Sequence, residues 1–129
     1  MKAKEFLTQA DQFLLSAKEI AGLKVISMAH DGISADDMRK LGDFLRDKAS
    51  NVVALIAAVN EGKITFLAAC GKDAVAKGVK AGDIIKTIAP ICGGKGGGKP
   101  DSAMGGGSDL LKLDDALASV DDVVASKLG

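Results

Sequence analysis

The chain has 129 residues, is 47% hydrophobic and 26% charged, and sets 17 basic against 17 acidic groups, the profile of one globular domain long enough to bury a core. No run approaches the ~20 apolar residues of a membrane span and residues 1–6 lack the apolar stretch of a signal peptide, so a cytoplasmic protein with no membrane partner is expected. Cys70 and Cys92 form no C-x-x-C pair and have too few neighbours for zinc, which makes them reduced core thiols.

In chain order, Phe6, Ala10, Phe13 and Ala17 recur at helical spacing beside Leu7 and Leu14, predicting a helix over residues 3–20 that stops near Gly22. It starts without a capping signal, as a helix continued from an upstream domain would. Residues 1–22 are therefore separated from a globular unit over 23–129. Residues 23–29 read as a first strand, turned by His30, Asp31 and Gly32. Ser34 is an N-cap flanked by the staple pair Ile33 and Met38, and Leu41 and Leu45 carry that helix to about Ala49. Residues 52–59 are apolar on both faces, as a central strand is, and 64–69 return after a turn at Asn60, Glu61 and Gly62.

Residues 72–80 are short and ambiguous. Ile84, Ile85, Ile88 and Ile91 predict a helix of about three turns, kinked near its end by Pro90. Leu110, Leu113, Leu117, Val120 and Val124 predict a final amphipathic helix, interrupted near Ser119, which with Asp122 offers a fresh cap. The sum is α/β: a single small domain with a mixed sheet flanked by helices, plus the N-terminal helix.

Half of the 16 glycines fall between residues 93 and 107, with Lys95 and Lys99 among them. Successive backbone N–H groups beside lysines suit a phosphate-bearing ligand. A flexible linker is the competing reading, but apolar, patterned sequence resumes on both sides. Residues 72–99 carry six lysines against Asp73 and Asp83, whereas residues 100–129 carry six aspartates against Lys112 and Lys127. Gly93 through Lys99 match G-x-x-x-x-G-K, the front of a P-loop, yet Pro100 stands where the Mg²⁺-binding Ser or Thr belongs. A nucleotide hydrolase is thereby disfavoured.

Catalytic constellations are otherwise missing. His30 is the only histidine, so neither a His-paired triad nor a multi-histidine metal site can be assembled. Asp36 with Asp37, Asp114 with Asp115, and Asp121 with Asp122 are adjacent pairs whose side chains diverge on a helix. There is no Trp or Tyr, and Phe6, Phe13, Phe44 and Phe66 sit in apolar elements. Without aromatic platforms for bases, a nucleic acid would be gripped by backbone and shape.

Residues 92–107 resemble the Gly-Gly-(Lys/Arg)-Gly-Gly-Gly-(Lys/Arg)-Pro-Asp-x-Ala-x-Gly-Gly-Gly signature of the C-terminal domain of bacterial alanyl-tRNA synthetase. This is a DHH-associated domain, also found beside the catalytic domain of DHH-family phosphoesterases and exonucleases. Segments 79–85 and 109–118 are similar to the synthetase version too, so the resemblance runs from about Leu23 to the C-terminus. Pro90 departs from the helix-compatible residue usual before the signature.

The resemblance implies a domain without an active site, joined to upstream aminoacylation and editing domains, that contacts the outer corner of tRNA and aids oligomerisation. The tRNA would be tRNA-Ala. It implies an RNA-facing signature at Gly93, Gly94, Lys95, Gly96, Gly97, Gly98, Lys99, Pro100, Asp101, Gly105, Gly106 and Gly107. In this reading the lysines neutralise phosphates, glycine amides approach backbone oxygens, and Asp101 closes a turn after Pro100. ATP, Mg and Zn would belong only to absent domains of the parent ligase. Two alternatives stay open: the substrate clamp of a DHH phosphoesterase, and an oligomerisation module. The latter would pair N-terminal helices into a homodimer through Phe6, Phe13 and Leu14.

Overall fold

A computed structural model describes residues 17–128 of the chain. Six strands form one sheet: β1 (Lys18–Ile20), β2 (Leu23–Asp31), β3 (Val52–Asn60), β4 (Lys63–Cys70), β5 (Lys95–Gly98) and β6 (Ser102–Gly107), in spatial order β1-β2-β3-β4-β6-β5. β2 and β3 are parallel and every other neighbour pair is antiparallel, so the sheet is mixed as expected. Among the described residues four α-helices accompany it: α1 (Ala35–Lys48), α2 (Lys72–Ala76), α3 (Ala81–Ile88) and α4 (Leu113–Leu128).

Strand β3 explains the layering. Its apolar residues alternate between two cores: Val52, Ala54, Ile56 and Ala58 pack with Met38, Leu41 and Leu45 of α1, while Val53, Leu55 and Ala57 face the opposite side. There they join Phe66 of β4, Ile84, Ile85 and Ile88 of α3, and Val120 and Val124 of α4. A strand buried on both faces reads as continuous apolar sequence, because both side-chain sets need cover. The β2–α1–β3 crossover places α1 on one face; the other helices cover the second.

Local chemistry follows the sequence at the start of α1. Asp37 N–H donates to Ser34 Oγ at 3.1 Å, and Ile33 and Met38 are both buried. Lys63 pairs with Asn60 across a two-residue turn in which Glu61 and Gly62 have φ of 52° and 78°, the left-handed pair that suits strand twist. Ala21 and Gly22, at 52° and 87°, make the same kind of turn between β1 and β2.

That turn changes the expected N-terminal helix. Residues 1–16, which hold most of it, lie outside the described residues, but Lys18–Ile20 form a strand on β2 rather than a last helical turn. Gly22 therefore serves a hairpin, not a helix stop. The ambiguous 72–80 segment contains α2. Pro90 acts as expected: α3 ends at Ile88 and a 3-10 turn over Ala89–Cys92 carries the proline in its first positions, where its missing N–H costs nothing. α4 runs unbroken past Ser119, whose hydroxyl donates to the Asp115 carbonyl at 2.8 Å instead of capping a new turn. Leu110 belongs to a preceding 3-10 turn (Leu110–Lys112) and is exposed together with Leu111, so the apolar stripe of α4 starts at Leu113.

Both cysteines are buried free thiols. Burial pushes the Cys70 thiol from 9.0 up to about 12, Arg46 pulling slightly down and Asp101 up. The unfolded thiol ionises first as pH rises, so this group leaves stability unchanged below pH 9.0 and erodes it between 9.0 and about 12. Urea midpoints taken at about pH 8 and about pH 10.5 should fall further for the unaltered chain than for Cys70→Ala. Equal falls would place the alkaline loss elsewhere.

Candidate nucleic-acid interface

The glycine segment, expected as a loop, is a β-hairpin at the sheet edge. β6 pairs with β4, and β5 pairs with β6 to become the outer strand. Two of the amides expected to face a ligand are consumed by the turn before it: Gly93 N–H donates to Pro90 O and Gly94 N–H to Ala89 O, each at 3.0 Å. Gly93 is the one residue of the signature at positive φ, 75°.

Within the hairpin, Lys99 N–H donates to Ser102 O at 3.0 Å. Antiparallel pairs alternate between bonded and non-bonded, so Gly97 and Lys95 also aim their amides at β6, and only Gly96 and Gly98 point theirs outward. β6 is interior, with β4 on one side and β5 on the other, so the amides of Gly105, Gly106 and Gly107 serve the ladder and are not donors to a partner. The expected nest of bare amides is thus reduced to two edge positions.

What needs the glycines is the protein itself. A Cβ on Gly96 would lie 2.3 Å from Gly105 Cα and 2.8 Å from Ile85 Cγ2, and one on Gly105 would lie 2.6 Å from that same methyl. A Cβ on Gly107 would meet Cys92 Cβ at 2.7 Å. The hairpin is stripped of side chains so that α3 and the 3-10 turn after it can lie directly on the strands.

The hairpin tip is held from both faces. Pro100 O accepts from Ala81 N–H at 2.7 Å, and Asp101 O from Cys70 N–H at 3.0 Å. The Asp101 carboxylate accepts from Arg46 Nη1 at 2.9 Å, and Arg46 also pairs with Asp43 of α1. The Asp101 side chain thus ties the tip to α1 through an arginine that the sequence did not single out. Lys95 and Lys99 remain exposed, with no acidic partner among the described residues. Lys80 and Lys86, also not singled out, stand beside Gly98 and Pro100. The signal for them was the lysine excess over residues 72–99.

Elsewhere the chemistry is spare. Among the described residues no polar or charged residue is buried, and no three His, Cys, Asp or Glu side chains gather as a metal site would require. Asp36 and Asp37 open α1, Asp114 and Asp115 open α4, and Asp121 pairs with Lys18 at 2.7 Å. Acidic groups in a first helical turn are explained by the helix dipole. A cleft of about 780 Å³ lies beside the hairpin tip, walled by Arg46, Asp43, Lys72 and Val75. No helix among the described residues is long and apolar enough to cross a membrane.

Residues 21–126 match the DHHA1 domain. Over 128 residues the chain is 41% identical to an alanine–tRNA ligase of Saccharophagus degradans and 37% identical to one of Clostridioides difficile. These matches take in 99% of this chain but only 14% and 15% of the ligases, so the chain spans about one seventh of its relatives. Among solved structures, the C-Ala domain of Aquifex aeolicus alanyl-tRNA synthetase superposes with a TM-score of 0.78 at 24% identity, over 85% of this chain and 98% of that one. RecJ of Thermus thermophilus shares the fold at a TM-score of 0.50 and 15% identity, over 97% of this chain and 18% of RecJ.

The packing separates the glycines experimentally. Gly96→Ala should destabilise by at least the ~1–3 kcal/mol of an overpacked core, because backbone and a helix methyl occupy the space. Gly97→Ala, whose nearest obstacle is the flexible Lys86 Cε at 3.4 Å, should stay within about 0.5 kcal/mol. Urea denaturation of the two variants checks the contrast; equal losses would refute the packing argument.

Proposed function

We propose that this chain, which belongs to the DHHA1 domain family, is the tRNA-binding accessory part of an alanine–tRNA ligase and meets the tRNA-Ala sugar–phosphate surface with the β5 edge. The parent would carry the ligase chemistry, with its ATP, Mg and Zn, in domains upstream of this chain. One observation carries the reading: two ammonium groups, Lys95 and Lys99, with no acidic partner among the described residues, flank an exposed glycine strand in a chain 41% identical to such a ligase.

The physics fits a backbone-reading surface. Phosphates need donors and positive charge rather than rings, and contacts to them position a protein without selecting bases. Lys95 and Lys99 are four residues apart on an extended strand, about 13 Å, a span that reaches along a backbone rather than around one small ion. The side-chain-free strand between them lets RNA oxygens approach the outward amides of Gly96 and Gly98. The phosphoesterase-clamp alternative has weaker support, since likeness to RecJ at 15% identity concerns the fold alone.

Titrating a tRNA-Ala transcript with the 129-residue chain at two salt concentrations, beside a non-specific RNA duplex, tests the reading. Removing Lys95 and Lys99 together should weaken binding and lower the salt slope by about 2, about 1 per phosphate contact. Binding and slope left untouched would reject the assignment. The proposed self-association through Phe6, Phe13 and Leu14 involves residues outside the described ones. Light scattering of the full chain against one starting at Ala17, which keeps β1, measures it. A monomer mass in both rejects dimerisation.

A further inference from the structure

We infer that Lys80 and Lys86 build a second phosphate seat beside the hairpin, so that the RNA-facing surface continues from β5 onto α3. The inference rests on the tRNA-binding reading above and extends it to residues outside the glycine signature.

The place is a shallow notch of about 70 Å³ between α3 and the outer strand, lined by Lys80, Gly82, Asp83, Lys86, Gly98 and Pro100. Organic ligands occupy pockets of roughly 300–1,000 Å³, so this one suits a single small group of a larger partner. Its floor is backbone: a Cβ on Gly82 would stand 2.9 Å from the Gly98 carbonyl oxygen. Helix and strand are therefore in direct contact, and the two lysines rise at the rim. The stem of Lys86 passes the strand, its Cε 3.4 Å from where a Cβ of Gly97 would be.

Charge decides the kind of group. Lys80 and Lys86 are exposed and have no acidic partner among the described residues. The notch's single carboxylate, Asp83, is itself in an ion pair with Lys127 Nζ at 3.7 Å. Lys80 also occupies the N-cap of α3 with no side-chain capping bond, where a cation works against the helix dipole. Helix stability gives no reason for a lysine there. The first-turn amide of Ala81 is already taken by Pro100 O, and the ammonium groups supply the charge of the seat.

With Lys95 and Lys99, the seat gives four ammonium groups along one edge. Of the remaining lysines in residues 72–99, Lys77 reaches the Ala21 carbonyl at 2.8 Å and Lys72 lines the 780 Å³ cleft. The surplus charge of that stretch is thus sorted by the fold, with the larger share at the hairpin edge.

The test uses the full chain, a tRNA-Ala transcript and a salt series. Lys80→Ala with Lys86→Ala should lower the salt slope by about 2 and weaken binding, and Lys80→Arg with Lys86→Arg should restore both. Lys24→Ala with Lys77→Ala, at the opposite end of the sheet, removes equal charge and should leave the slope unchanged. An unchanged slope in the Lys80/Lys86 alanine variant, with Lys95 and Lys99 still required, overturns the seat and spares the tRNA reading. An equal fall in the Lys24/Lys77 variant overturns it as well, since a diffuse field would then suffice. No binding by the unaltered chain overturns the tRNA reading and the seat together.

Discussion

The structure depends on one close approach: Ile85 of α3 lying on the facing backbones of Gly96 and Gly105. Helices normally ride about 10 Å above a sheet on a cushion of side chains from both. Here the strands contribute no cushion, and the helix methyl stands where their Cβ atoms would be. The short α3, with the 3-10 turn that contains Pro90 and ends at Gly93, is thereby fixed against β5 and β6. Buried Ile84, Ile85 and Ile88 supply the apolar area that a glycine-rich strand cannot.

That contact organises the surface as well as the core. Because β5 is held by α3 from one side and by its ladder to β6 from the other, a strand of four residues with three glycines stays extended. Its tip is tied down by backbone bonds from α3 and β4 and by the Arg46 pair from α1. A glycine-rich segment in solution would lose much conformational freedom on binding a partner. In this fold the ordering has already happened, so β5 presents a preformed edge rather than a chain still to be organised.

Much of this was legible in the sequence. The two-faced apolarity of β3, the Ser34 cap with its staple and the disturbance of the helix end at Pro90 all express local rules, and each stands in the fold. The hairpin was hidden because its pattern is an absence: strand periodicity is read from alternating side chains, and residues 93–98 have one. Their glycines looked like amides offered to a ligand, when the approaching surface was Ile85, eight residues before the signature begins at Gly93. Lys80 and Lys86 were visible only as net charge, since nothing in one dimension says that they lie beside Gly98. Arg46 escaped for the same reason, its partner Asp101 being 55 positions away. At the N-terminus, helical spacing reached into Lys18–Ile20, but pairing with Leu23, Lys24 and Val25 decides that stretch.

The outer strand has one more consequence. An open sheet edge is a template on which another strand can add, and proteins blunt such edges with brevity and with lysine. β5 is four residues long and carries ammonium groups at Lys95 and, just beyond its end, Lys99. Two such edges brought together would set like charges against each other while offering few side chains to interlock. The lysines that we propose meet RNA phosphates therefore also disfavour edge-to-edge pairing of one copy of the fold with the next.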